Sequence, residues 1–245
     1  PDARSMKTRG TGIVGYNVQT AVDAKNHLIV AHEVTNIGSD RDQLSTMAKQ
    51  ARAAIGTEEL TVIADRGYFK GEEIVACHEA GIVAIVPKTS TSGAKADGRF
   101  DRADFIYDAG KNEYRCPAGQ TLIWRYASIQ VGLMQNRYWS SNCKQCAIKE
   151  KCTPGEQRRV TRWEHENVLE TMQNRLDQAP DSMRIRRQTV EHPFGTLKLW
   201  MGSAHFLTKT MDRVSAEMGL HVLAYNMKRV MKILGAGALM DAIKA

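Results

Sequence analysis

The chain has 245 residues, of which 42% are hydrophobic and 25% charged. This composition is that of a globular protein with enough residues for one large or two small cores, and it excludes disordered, collagen-like and coiled-coil chains. The longest apolar runs, such as residues 82–86, are far shorter than the roughly 18 residues that cross a membrane. No signal peptide is recognisable, so we expect a cytoplasmic protein without a membrane partner.

Positive charge is concentrated near the end of the chain. The whole sequence has 34 Lys and Arg against 27 Asp and Glu, a net charge of +7. Segment 184–232 alone contains nine basic and three acidic residues, which gives it a net charge of +6. Such a segment is typical of a face that binds phosphates, and equally of a solvated basic helix.

The first 88 residues predict an alternation of strands and helices. Two β-prone runs flank a turn that contains Asp23 and Asn26, which predicts a hairpin. Helical spacing of apolar residues then ends at Gly56, a residue suited to close a helix. The order is strand, strand, helix, strand, helix, strand, at residues 15–22, 28–34, 39–55, 60–64, 71–80 and 82–86.

The composition changes after Pro87. Residues 89–98 are rich in Ser, Thr, Gly and Lys, which predicts a linker. Short strands follow at 105–107, 113–115, 121–126 and 137–139, and helices at 162–178, 181–200 and 212–234, the second of them broken. We therefore divide the chain into residues 1–88, 89–180 and 181–245. The middle part is predicted to be a β-rich insertion together with the helix that follows it, and the two outer parts are predicted to form one α/β core.

Asp65 comes directly after the predicted strand 60–64, and Gly67 allows a sharp exit from it. Ligands of open α/β sheets gather at the carboxyl ends of strands, so Asp65 is a candidate catalytic and metal-binding residue. The alternative is an Asp that only caps a turn or a helix.

Glu191 is the second candidate acid. At about 100° per residue, it shares one helical stripe with Arg187, Phe194 and Lys198, and Arg184 flanks the stripe. A carboxylate among cations suits a divalent metal and the phosphates that it activates. The alternative is a set of ordinary salt bridges between successive helical turns.

Four cysteines lie in the predicted insertion, at Cys116, Cys143, Cys146 and Cys152. The middle pair has the C-x2-C spacing of a metal knuckle, and four thiolates suit tetrahedral Zn²⁺. The outer spacings are irregular, with 26 residues between the first two cysteines and five between the last two. A structural zinc and reduced, partly buried thiols both remain open.

Several short motifs together resemble bacterial insertion-sequence transposases of the DDE type. They are ADRGY at 64–68, RQTVEHPFG at 187–195 followed by Lys198, AYNMKR at 224–229, PDAR at 1–4, GYNVQ at 15–19 and CPAG at 116–119. Each motif alone is weakly specific. Their order and spacing over the whole chain carry the resemblance.

The resemblance implies a ribonuclease-H-like mixed sheet with flanking helices, in which three acids hold two Mg²⁺ or Mn²⁺ ions. Asp65 matches the second Asp of the family and Glu191 its Glu. Arg187 and Lys198 match its basic signature residues, which neutralise phosphate, while Arg184 replaces a Tyr. The implied partners are DNA at the transposon ends and at the target, and a second copy of the intact enzyme, associated with the nucleoid.

The first Asp of the family is not recognisable in this sequence. The family carries it on the first of three strands before the first helix, whereas only two strands are predicted before residue 39. We therefore expect that strand upstream of Pro1, and we assign the role to neither Asp2 nor Asp23. A fragment of this kind is expected to be inactive. The alternatives are a non-catalytic DNA-binding module and a related ribonuclease-H-like nuclease.

Overall fold

The structure is a computed structural model that describes residues 2–7, 12–89, 93–202 and 204–244. It is a mixed α/β protein, as predicted, and it divides into two compact units, Pro1–Lys88 with Val168–Ala245, and Thr89–Asn167. Part of the predicted linker 89–98, residues 90–92, lies outside the described residues. None of the helices in the described ranges is long and apolar enough to span a membrane.

The first unit contains six short strands and six α-helices in its described part. Its elements are β1 (Arg4–Lys7), β2 (Gly12–Gly15), β3 (Asn17–Val22), β4 (Ile29–Thr35), α1 (Leu44–Ile55), β5 (Leu60–Ile63), α2 (Gly71–Glu79), β6 (Ile82–Ile85), α3 (Glu166–Gln178, from Val168 onward), α4 (Ser182–Gly195), α5 (Met211–Leu234) and α6 (Ala236–Lys244). The elements predicted between residues 15 and 86 are confirmed to within a few residues. Gly56 ends α1 with a φ of 70°, the left-handed conformation that favours glycine.

The strands of this unit form three separate two-stranded sheets rather than the single mixed sheet that we expected. β1 pairs with β2 and β3 with β4, both antiparallel, while β5 and β6 are parallel. The prediction of only two strands before residue 39 was wrong, because β1 and β2 are too short, and β2 too rich in glycine, to give a periodic signal.

A cavity of about 300 Å³ lies between β3 and β5. Residues 20–22 of β3 and 60–63 of β5 line it. Apolar residues of α1 and residues of α4 that include Arg186 also contribute to the lining. The strands β3 and β5 belong to separate sheets and are not hydrogen-bonded to each other.

Helix α5 fastens the β3–β4 hairpin. Asn226 accepts a hydrogen bond from the amide of Ile29 (3.0 Å) and donates one to its carbonyl (2.8 Å), as a neighbouring strand would. The buried Tyr225 hydroxyl donates to the carbonyl of His27 at 2.7 Å. Arg229 donates to the carbonyl of Asn26 at 2.8 Å. The AYNMKR motif therefore has a structural use, because it pairs the polar backbone at the hairpin end.

We expect Asn226→Ala to lower the free energy of unfolding by about 1–3 kcal/mol, because both backbone groups of Ile29 lose their partner in a partly buried place. Urea unfolding followed by circular dichroism measures this. Lys228→Ala, on an exposed turn of the same helix, is the matched control and should change stability by less than about 0.5 kcal/mol. Equal effects of the two substitutions would contradict the described role of Asn226.

The strands of the second unit are β7 (Ile106–Asp108), β8 (Glu113–Arg115), β9 (Thr121–Gln130), β10 (Leu133–Trp139) and β11 (Val160–Trp163). They form one antiparallel sheet in the order β11-β10-β9-β8-β7. Its buried core is formed by Phe105, Tyr114, Leu122, Tyr138 and Val160. The strands β9 and β10 are longer than predicted. The predicted helix 162–178 was wrong at its start, because β11 occupies residues 162 and 163 and the helix begins at Glu166.

Candidate functional site

Asp65 lies two residues beyond the end of β5 and caps the turn Arg66–Tyr68. Its Oδ1 accepts a hydrogen bond from the amide of Gly67 at 2.8 Å. A Cβ on Gly67 would come within 2.9 Å of that oxygen, so only glycine lets the turn close this tightly. The sharp turn predicted after the strand is confirmed. The Gly67 amide holds one oxygen of the Asp65 carboxylate and leaves the second oxygen for another contact.

The second oxygen of Asp65 is paired with Arg186 of α4, at 2.8 Å from Nη2. The Asp65 side chain is 43% exposed and that of Arg186 is 25% exposed. The ion pair is therefore accessible to solvent, and Arg186 is the more buried of its two partners. Sequence reasoning missed Arg186 as a site residue. Residues 182, 186, 189 and 193 follow helical spacing on the face of α4 that the fold buries, but they are Ser, Arg, Thr and Pro, so no apolar pattern marks this face in the sequence.

A polar network lies beneath the Asp65 turn. Asn17 and Gln19, both in β3, donate to the same oxygen of Asp40 at 2.7 Å each. The Tyr68 hydroxyl donates to the side-chain amide oxygen Oε1 of Gln19, a residue that is almost fully buried. Burial chiefly raises the pKa of Tyr68, and the negative charges of Asp40 and Asp65 raise it further. Tyr68 is therefore a neutral hydrogen-bond donor, and the GYNVQ motif serves to support the turn.

The stripe predicted on α4 is present on an exposed helical face. Arg187 and Glu191 form a long ion pair at 4.0 Å, with side chains 75% and 69% exposed. Arg184 pairs with Asp181 at 3.1 Å. Lys198 lies 5.7 Å from the ring centre of Phe194, in the wider π-helical turn Thr196–Trp200 that extends α4. Ion pairs this exposed are weak, so these cations are available to an anionic ligand.

Arg186 and Glu191 project from different faces of α4. They are five residues apart, which corresponds to about 140° around a regular helix. The face that meets Asp65 is thus that of Arg186, whereas Glu191 belongs to the exposed stripe. The pairing of Asp65 with Glu191 around one cation stays a prediction.

The two other carboxylates considered for the first acid have structural contacts. Asp2 accepts hydrogen bonds from the amide of Met211, at the start of α5, and from the hydroxyl of Tyr16, at 2.6 and 3.1 Å. The bond from Met211 is the main cause of the lowered pKa of Asp2. Asp23 accepts from the amides of Lys25 and Asn26 and so shapes the hairpin turn. Both observations agree with leaving these residues unassigned.

The four cysteines of the second unit line one cavity of about 30 Å³. All four are free thiols and partly buried. In the described ranges no group of three or more His, Cys, Asp and Glu side chains is already arranged to hold a metal ion. This holds for the cysteines and for the acids near Asp65, so neither predicted metal site is preformed.

Comparison with known proteins identifies the family. A family profile described as "Transposase DDE domain" matches residues 1–227, and the chain therefore belongs to this family. The family consists of transposases that act on DNA as polynucleotidyl transferases and generally use divalent metals. No curated protein matches the chain, and neither does any solved structure.

We expect Arg186→Gln to raise the affinity of the protein for Mn²⁺ by about fivefold to tenfold, because it removes the cation that neutralises Asp65 (about 1 kcal/mol). Titration followed by electron paramagnetic resonance measures free Mn²⁺. Arg184→Gln, which makes the same change of charge beside Asp181, is the control and should leave the affinity nearly unchanged. Equal affinities in the two variants would show that Arg186 does not compete for a metal at Asp65.

Proposed function

We propose that this chain is the catalytic domain of a DDE transposase with a ribonuclease-H-like core. In this proposal, Asp65 and Glu191 are two of its metal-binding acids, and the metal is Mg²⁺ or Mn²⁺. The reaction would be cleavage of the phosphodiester at insertion-sequence ends, followed by joining of the 3′-hydroxyl to target DNA. The family match supports the class of reaction.

One observation carries the proposal at the level of residues, namely the position of Asp65. Its carboxylate stands at the carboxyl end of a strand, is fixed by the Gly67 amide, and already has a cation, Arg186, against its outer oxygen. This position therefore offers one fixed carboxylate to a divalent ion. Such an ion would take the place of Arg186 as the counter-charge of Asp65.

The exposed cations of α4 suit the DNA substrate. Arg184, Arg187 and Lys198 lie outside the core, and their intramolecular contacts are weak and exposed. Release of these contacts costs little, whereas contact with phosphates adds charge-assisted hydrogen bonds. We propose that these three residues bind the DNA backbone near the reacting phosphate.

The proposed metal site is incomplete in the described residues, because the acids there form no group of three. The cavity between β3 and β5 suggests where a further acid belongs. Residues of both strands line it, and the two strands belong to separate sheets, so their facing sides are open to a further strand. We propose that a strand in this position carries the remaining carboxylate beside Asp65.

We expect the 245-residue chain, purified as it stands, to show no cleavage of duplex DNA that carries the insertion-sequence ends, with Mg²⁺ or with Mn²⁺. Two-metal stabilisation of the attacking and leaving oxygens needs the complete acid set. Denaturing gel electrophoresis of end-labelled DNA measures this. Strand cleavage that Asp65→Asn abolishes would show that the acids of this chain suffice.

Binding of the metal can be tested without DNA cleavage. Fe²⁺ in place of Mg²⁺, with ascorbate and peroxide, produces radicals that cut the protein backbone beside the bound ion. We expect fragments ending near residues 65 and 191, because both acids would face the ion. Asp65→Asn should remove both sets of fragments, whereas Asp241→Asn, on the exposed helix α6, should leave them unchanged.

Cuts near residue 65 alone would exclude Glu191 as a ligand in this chain. Absence of specific cuts, together with DNA binding that is independent of divalent metal, would favour the alternative of a DNA-binding module without chemistry.

A further inference from the structure

The second unit contains a feature that the transposase reaction does not use. Cys116 follows β8, whereas Cys143, Cys146 and Cys152 lie in the connection between β10 and β11, and all four line the same cavity. Its other lining residues are mostly apolar, among them Phe100, Phe105, Leu122 and Ile148. Because all four thiols border one cavity, we propose that these four cysteines bind one structural Zn²⁺ ion.

Each cysteine is held at or beside a turn, as the ligands of a zinc knuckle are. The amide of Gly119 donates to the carbonyl of Cys116 at 2.8 Å, and Gly119 has a φ of 76° that suits glycine. The amide of Cys146 donates to the carbonyl of Cys143 at 3.3 Å, which closes the C-x2-C turn. Cys152 ends the short helix Lys149–Lys151. These turns fix the backbones of all four ligands next to one cavity.

The segment that carries three of the cysteines needs a cross-link. The connection between β10 and β11, residues 140–159, contains two short 3-10 helices and no strand or α-helix. Irregular connections of this length are uncommon in compact units unless something anchors them. The unit is small, Thr89–Asn167, and its core cluster has five fully buried residues. Small units of this kind are commonly completed by a disulfide or a metal.

The charges around the cavity suit a zinc tetrathiolate, which carries a net charge of −2. Arg158 and Lys149 both line it, and Arg158 donates to the carbonyl of Cys152 at 3.5 Å. The Nε atom of Arg158 is buried and has no hydrogen-bond partner in the described structure. A buried N–H group without an acceptor is costly, and a thiolate would supply the acceptor.

The thiols are close enough to influence one another. Burial raises the pKa of Cys152, Arg158 lowers it, and the three other cysteines raise it again. Zinc binding releases the thiol protons of its ligands and must draw the four sulfurs inward, since they are not yet arranged to hold a metal ion. The affinity for zinc should rise as the pH rises from 6 to 8, because protons compete with the metal.

The experiment is the metal content of the full chain, purified in reducing buffer without chelator from zinc-supplied cells. We expect about one Zn²⁺ per chain by plasma mass spectrometry, and a large loss in Cys146→Ser and in Cys152→Ser. Cys77→Ala is the matched control, because Cys77 is buried in the other unit, and it should retain the metal. Zinc well below one equivalent in the wild-type chain would overturn the proposal.

Cobalt gives a second measurement that does not depend on how well the variants fold. Co²⁺ added to the metal-free chain should give the thiolate charge-transfer bands and the strong visible bands of a tetrahedral sulfur site, and Zn²⁺ should abolish them. Weak bands typical of octahedral cobalt, or a disulfide among the four cysteines under reducing conditions, would contradict it. The result is independent of the proposed function, since neither measurement involves Asp65 or DNA.

Discussion

The contact between Asp65 and Arg186 joins parts of the chain that are 121 positions apart. The strand β5 presents the carboxylate, and α4 supplies the cation from its more buried side. The functional inference about Asp65 depends on this pair, because it joins α4 to the carboxyl end of β5. The orientation of α4 also leaves Arg184, Arg187 and Glu191 exposed.

Several features of the fold and site could be predicted because they depend on local sequence. The hairpin turn at Asp23, the end of α1 at Gly56 and the position of Asp65 after β5 each follow from a few adjacent residues. The contact of Arg186 with Asp65 depends instead on how α4 rotates against distant strands. The charged stripe of Arg187, Glu191 and Lys198 does not reveal that rotation, because it lies on the exposed face of the helix.

Local sequence also fails to predict the shortest strands. In β2 the glycines at both ends leave only two apolar side chains, and β11 reads as the start of a helix because its apolar residues continue into α3. Pairing with a partner strand, rather than intrinsic preference, determines these elements. Asn17, Gln19 and Asn226 belong to the motifs that resemble the family. Their hydrogen bonds give a physical reason for these residue types at these positions.

The attachment of the hairpin to α5 also affects how the protein is made. Ile29 and Asn226 are separated by 197 positions, whereas the second unit is one uninterrupted stretch of chain. On the ribosome, the second unit has all its strands before α5 is synthesised, and the polar groups of Ile29 stay in water until α5 emerges. If translation ended before α5, the N-terminal part would therefore stay incompletely folded and become a substrate of chaperones or proteases.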